Sequence, residues 1–194
     1  MDSEAAPGQI VILNCVPRSG ESSIALVIQE TFDGVWMNLG VDSFVRHVTP
    51  ELHRPGIGLR PGGENPDIEP TVVALYAAMH ESIAAHSRIG LNVVVDVGHH
   101  DGYSQPRGIL VDCARRLADL PALFVGVRCP IEVIMARRNV GQPGREGGYV
   151  RGTDDDPVPA PVRRWQEAVH DPGIYDLEVD TAVLSPQQCA EMIW

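Results

Sequence analysis

The residues best suited to chemistry lie near the start of the chain, Asn14-Cys15-Val16-Pro17-Arg18-Ser19-Gly20-Glu21-Ser22-Ser23. A short apolar run ends there and a helical apolar pattern begins, the place where a G-x-x-x-x-G-K-[ST] loop would cradle a phosphate. In such a loop the backbone N–H groups at a helix start hold the phosphate, a lysine balances its charge and a hydroxyl binds magnesium. Gly20 and Ser22 keep two of those positions, whereas Cys15 stands for the first glycine and Glu21 for the lysine. A carboxylate about 4 Å from a phosphate charge costs on the order of 4 kcal/mol at an effective dielectric of about 20, so the exchange opposes nucleotide binding. Arg18 in the loop and Arg137, Arg138, Arg145 and Arg151 further along are cations that could offset it, because guanidinium groups clamp phosphates. The alternative is that Glu21 simply opposes the positive end of the helix, as first-turn acids do, and the loop binds nothing.

Other candidates stand where strands end. Asp42 follows Gly40-Val41 and can serve either as a proton acceptor or as a helix cap; Asp96 ends the β-branched run Val93-Val94-Val95. His99-His100-Asp101 comes next, but adjacent histidines in an extended or turn segment point apart, which favours a loop facing an acceptor molecule over a metal pair. Cys15 at a helix start could be a reactive thiol, yet Glu21 works against a thiolate and no histidine is placed by sequence to activate it. A small packing role suits it better.

These residues need a frame, and the hydrophobic pattern supplies one. Residues 10–13 read as a strand, and Ile24, Val27 and Ile28 continue as a helix. A strand near 35–39 runs into Gly40 and a helix reaching about residue 48, capped by Asp42 or Ser43. Prolines and glycines make 50–70 a candidate substrate-facing loop. Val72, Tyr76, Met79 and Ile83 form one helix face, and 93–95 is a buried strand. A helix at 108–118, a strand at 123–127, a helix from Pro130, a strand at 177–179 and a helix at 185–194 complete the series. Between the last strand and the helix before it, 141–161 is polar and rich in Gly, Pro, Arg and Asp, a candidate flap within a lid at 137–161. Strands alternating with helices predict an α/β, doubly wound, mostly parallel five-stranded sheet with flanking helices. One domain, 9–194, follows a flexible stretch at 1–8. Ligands of such sheets bind beyond the carboxyl ends of the strands, where residues 15–20, Asp42, Asp96 and Thr181 would converge.

The formal net charge of −11, from 15 Lys and Arg against 26 Asp and Glu, repels phosphodiester backbones and anionic lipid. Nucleic acid and membrane are therefore excluded as expected partners, while a small ligand held by local arginines is not. Four cysteines without C-x-x-C spacing, no basic-apolar leader and no apolar run of spanning length point to a cytoplasmic protein. Trp36, Trp165 and Trp194 could anchor a homo-oligomer or lie in the core.

The chain resembles the chloramphenicol 3-O-phosphotransferases, small P-loop kinases that move the ATP γ-phosphate onto the drug's primary hydroxyl. The likeness runs through Ile12-Leu13-Asn14, Gly40-Val41-Asp42-Ser43, Val94-Val95-Asp96-Val97, Val125-Gly126-Val127-Arg128-Cys129 and Tyr175-Asp176-Leu177-Glu178-Val179-Asp180-Thr181, in order along most of the chain. The resemblance implies a P-loop kinase-like fold, ATP and Mg2+ as cofactors and a small hydroxylated substrate. It makes Asp42 the carboxylate that receives the acceptor's proton and Arg137 and Arg138 the start of an arginine-bearing lid. Ser22 and Asp96 would hold the metal. Arg18, Ser19, Gly20, Glu21, Ser22 and Ser23 would surround the phosphates, and Thr181 would lie near the adenine. The altered loop leaves a second expectation, a non-catalytic relative that has lost nucleotide binding because Glu21 replaces the lysine.

Overall fold

The computed structural model describes residues 6–47, 61–141 and 149–194, with the side chains of 45–47 excepted. Strand β1 (Ile10–Cys15) is buried along its whole length. It lies between two parallel neighbours, pairing Ile10 with Val93 on one side and with Ala122 on the other, and needs apolar residues on both faces because helices cover the sheet on either side. The remaining strands are β2 (Trp36–Asn38), β3 (Asn92–Val97), β4 (Ala122–Arg128) and β5 (Leu177–Asp180), in the order β2-β3-β1-β4-β5. Every pairing among them is parallel.

Helices α1 (Glu21–Thr31), α2 (Val41–His47), α3 (Glu69–Arg88), α4 (Ile109–Arg116), α5 (Ile131–Val140), α6 (Ala160–Ala168) and α7 (Pro186–Ile193) make the crossovers and close the described chain. Their starts follow local rules. Pro70 and Pro186 occupy first-turn positions that need no N–H, and Ser185 and Gln188 form a reciprocal capping box at α7.

Alternation along β1 feeds the two faces of the sheet. Val11, Leu13 and Cys15 join Ile24, Ile28, Val179 and Cys189 under α1 and α7. Ile10 and Ile12 join Met79, Ile83, Leu110 and Leu117 under α3 and α4. A third cluster sets Val16, the first residue after β1, against Ile134 and Met135 of α5 and Val162 of α6, with Val169 just beyond α6. The loop between β1 and α1 is thus anchored in its own core. No helix among the described residues is long and apolar enough to cross a membrane.

The expected sheet is present, and α6 is an addition to the elements read from the sequence. Residues 48–60, most of the expected substrate-facing loop, and 142–148, within the expected flap and including Arg145, lie outside the described residues.

Candidate active site

The loop after β1 turns on two residues with positive φ, Arg18 (82°) and Gly20 (103°). Gly20 is the residue preceding the first turn of α1, and its left-handed conformation suits a residue without a Cβ. Its N–H donates to Oε2 of Glu21 at 2.8 Å. The carboxylate that replaces the expected lysine is therefore folded back over the helix start, where one of its oxygens accepts from a helix-start N–H. Burial pushes the Glu21 carboxyl above its ordinary value, and the neighbouring Asp96 charge pushes the same way against the backbone N–H groups that favour the anion.

Ser22, in the first turn of α1, donates its hydroxyl to Oδ2 of Asp96 at 2.7 Å. Asp96 belongs to β3, the strand beside β1. The other carboxylate oxygen packs against the start of α2: a Cβ on Gly40 would lie 1.5 Å from Asp96 Oδ1. Glycine at 40 lets α2 approach the end of β3, and Asp42 follows in the first turn of that helix.

The arginines do two different things. Arg137 Nη1 donates to Ser19 O at 2.9 Å and Arg18 O at 3.2 Å, and its Nη2 donates to Thr181 O at 2.9 Å. The same Nη1 would be 3.5 Å from a Cβ at Gly20, so a fixed positive charge stands beside the loop. Thr181 completes the staple, donating its hydroxyl to Ser19 O and its N–H to Arg128 O. Ser19 itself is buried, and its Oγ finds no hydrogen-bond partner among the described residues; it serves the loop through its carbonyl. Arg18 points the other way, Nη2 donating to Arg137 O at 2.8 Å and Gly141 O at 3.2 Å. Arg138 is buried behind the loop, with Nη2 on Pro17 O at 3.3 Å. Both guanidinium groups flank the Tyr149 ring, at 5.5 Å for Arg18 and 5.4 Å for Arg138.

A cleft of about 370 Å³ opens over this loop, lined by Arg18, Gly20, Glu21, Ser22, Ser23 and Arg137 together with Tyr149, Thr181, Leu184 and Pro186. Of the residues expected at the site, Arg138, Ser19, Asp42 and Asp96 are not among its lining, and Asp96 touches it through Ser22. Tyr149, Leu184 and Pro186 were not anticipated, since an isolated tyrosine in a polar segment, a turn leucine and the first proline of α7 carry no pattern.

Cys15 is buried, with Sγ 3.5 Å from Val97 O, and burial followed by the Glu21 charge raises its thiol pKa far above the ordinary value. That is the environment of a packing residue, not of a nucleophile. Asn14 opens the loop stretch, and its place there does not disclose its structural role. Its amide donates to Val169 O and Tyr175 Oη, both at 2.9 Å, and its Oδ1 accepts from His99 N at 2.7 Å. It ties the segment after β3 to the end of β1. Glu69 was not anticipated either and is fully buried: its carboxylate accepts from Ser104 and from Arg107 Nη2 at 2.8 Å, holding the loop before α4.

A parallel sheet in this order, with a glycine-turned loop feeding a helix start and a hydroxyl–carboxylate pair at its edge, defines a P-loop kinase fold. A sugar kinase from Janibacter sp. superimposes with a TM-score of 0.60 at 17% identity, over 96% of this chain and 92% of that one. The APS kinase of Mycobacterium tuberculosis, solved with AMPPNP and APS, gives 0.57 at 16% identity over 96% and 95%. Residues 8–194 match the model of the chloramphenicol phosphotransferase-like proteins, and the chain belongs to that family. It is also 27% identical over 197 residues to a Mycobacterium tuberculosis protein whose name assigns it provisionally to the O-phosphotransferases, across 94% of this chain and 79% of its relative.

Proposed function

We propose that the protein is an O-phosphotransferase that moves the γ-phosphoryl group of ATP, with Mg2+, to a hydroxyl of a small molecule. The observation that carries this reading is the Ser22–Asp96 contact of 2.7 Å at the edge of the cleft, in a chain of this family. A hydroxyl and a carboxylate side by side at a helix start are a donor set suited to magnesium, held directly by Ser22 and by Asp96 directly or through water. When bound, the ion would neutralise charge on the phosphoryl oxygens.

The loop fits a phosphate on one condition. The Gly20 N–H already donates to an anionic oxygen, that of Glu21, so the donor is correctly presented; Glu21 must turn outward for a ligand oxygen to take its place. Arg18 and Arg137 line the cleft and supply positive charge, with Arg137 immobilised by three backbone carbonyls. Thr181, Leu184 and Pro186 offer a less charged wall on the side away from Asp96, suited to a base. Asp42, in the first turn of α2 beyond Gly40, is the residue to accept the proton of the acceptor hydroxyl.

Isothermal titration with MgATP and MgGTP at millimolar nucleotide tests the reading. Saturable binding is expected for at least one of them, followed by turnover with hydroxylated acceptors; a flat titration with both removes it. The contact between Glu21 and the Gly20 N–H favours one competing reading, a non-catalytic relative whose phosphate position is filled by its own carboxylate. On that reading Glu21→Lys creates nucleotide affinity that the native chain lacks, and a saturable native isotherm eliminates it.

A further inference from the structure

On the opposite face of the sheet from α1, two imidazoles and a thiol converge in an apolar core. His80 on α3, His99 after β3 and Cys113 on α4 are all buried, and their ligating atoms lie within 4.8 Å of one another. His80 Nε2 and His99 Nε2 are 3.0 Å apart. Around them the cluster is aliphatic and aromatic, including Met79, Ile83, Val97 and Leu110, with the Tyr76 ring edge-on to His99. Burial lowers both imidazoles, His80 to about 4 and His99 well below its ordinary value, so both rings are neutral at neutral pH and one carries the proton that the other accepts. That single hydrogen bond leaves His80 Nδ1 and His99 Nδ1 without a hydrogen-bond partner among the described residues. Asp112 Oδ2 stands 3.6 Å from His80 Nδ1.

Two imidazole nitrogens 3.0 Å apart and a thiol, all buried and within 4.8 Å of one another, are a donor set that a cation can draw together. At zinc–nitrogen distances of about 2.0–2.1 Å and a zinc–sulfur distance of about 2.3 Å, tetrahedral ligands stand about 3.3 Å apart for two nitrogens and about 3.6 Å apart for nitrogen and sulfur. The histidine nitrogens, 3.0 Å apart, are within a few tenths of an ångström of that spacing, and the thiol, inside the 4.8 Å limit, lies no more than about 1.2 Å beyond it. Imidazole and thiolate together suit a borderline-soft transition-metal ion rather than magnesium or calcium. A carboxylate facing the far nitrogen of a ligating histidine is the usual outer partner that fixes its tautomer, and Asp112 is so placed.

We propose that His80, His99 and Cys113 form a buried site for zinc or a similar divalent transition-metal ion. Binding replaces the proton between the two Nε2 atoms, which moves to the Nδ1 of its own ring, and releases the thiol proton of Cys113 to solvent. The ion would cross-link α3, α4 and the segment that leaves β3 beyond Asp96, whose backbone Asn14 also holds at His99. A solvent molecule would fill the fourth position. The site is distinct from the Ser22–Asp96 pair and does not depend on the protein being a phosphotransferase.

Cobalt provides the direct test on the intact native chain. Addition of Co2+ to metal-free, reduced protein is expected to give a thiolate-to-cobalt charge-transfer band in the near ultraviolet that saturates near one equivalent and is displaced by Zn2+. Competition with a chromophoric chelator is expected to show that Cys113→Ser weakens zinc binding by at least about 100-fold, more than the loss of an outer-shell partner produces. Native protein that develops no charge-transfer band with Co2+ overturns the proposal without any variant. So does a Cys113→Ser protein that holds zinc as tightly as the native one. Should that variant fail to fold, His99→Gln in the same competition answers the question, with loss of zinc affinity expected and retention overturning the proposal.

Discussion

At the scale of single residues, two carboxylates in this protein respond to pH in opposite directions. Glu21 is destabilised as an anion: burial and the Asp96 charge raise its pKa above the ordinary 4.5. The folded chain holds this proton more tightly than the unfolded one, so stability falls as pH rises from about 4.5 through the raised value. Glu21→Gln keeps an oxygen for the Gly20 N–H and removes the charge. Its stability relative to the native protein should therefore grow as pH rises from about 4 to 7, measured by urea unfolding; a difference that does not change with pH sinks this account. Glu69 is the reverse case. Burial alone would raise its pKa, but the Ser104 donors and Arg107 outweigh that and hold it at about 2. Its contribution is complete above the unfolded value of 4.5 and is lost as pH falls toward about 2. Glu69→Gln should cost about 3 kcal/mol at pH 7, at the lower end for removing one partner of a buried pair. The gap to the native protein should close on acidification, and a variant as stable as the native chain at neutral pH would show that the loop before α4 does not need this anchor.

At the scale of elements, much of the frame could be read from the sequence because strands buried on both faces are written as uninterrupted β-branched runs. Ile10-Val11-Ile12-Leu13 and Val93-Val94-Val95 leave little else to be. Helix α6 is masked by the polar stretch before it, although Val162, Trp165 and Val169 at i, i+3, i+7 mark one packed face. The loop between β1 and α1 was visible as a strand, a break and a helix, but side-chain direction was not. Nothing in the order of residues says that Glu21 folds back onto Gly20, that Arg137 staples backbone carbonyls, or that Arg138 lies behind the loop. Those outcomes depend on φ values at Arg18 and Gly20 and on contacts more than 100 positions apart, such as Arg137 with Arg18. Gly40 shows how one element positions another. Alanine there would place a Cβ 1.5 Å from Asp96 Oδ1. The nearest atom belongs to a side chain that can rotate, so Gly40→Ala should lower stability by only about 1–2 kcal/mol. The rotation takes the carboxylate off Ser22, and magnesium-dependent turnover should fall at least about tenfold, by the sensitivity of such sites to small displacements. A variant with native turnover and displaced thermal stability would mean that the Ser22–Asp96 contact is not part of the working site.

At the scale of the whole molecule, a net charge of −11 makes the long-range field repel anions, so any phosphate affinity rests on the few guanidinium groups beside the loop. The placement of those groups depends in turn on a sheet covered on both faces, and β1, like β3 and β4, feeds both cores. Ile12 and Leu13 are adjacent in sequence, nearly inaccessible at 1% and 0% exposure, and packed into different clusters. Truncating either to alanine should cost about 2–5 kcal/mol through lost contacts and an incompletely collapsed cavity. A domain's total stability is about 5–15 kcal/mol, enough to survive one such loss. Because the sheet separates the two cavities, their walls share few side chains, and the costs in Ile12→Ala/Leu13→Ala should add to within about 0.5 kcal/mol. Urea unfolding of the two single variants and the double variant measures this, with the double variant expected to unfold at low denaturant. A double variant no less stable than the worse single one would show that the two faces relax together through β1, and that the sheet does not divide this core into independent halves.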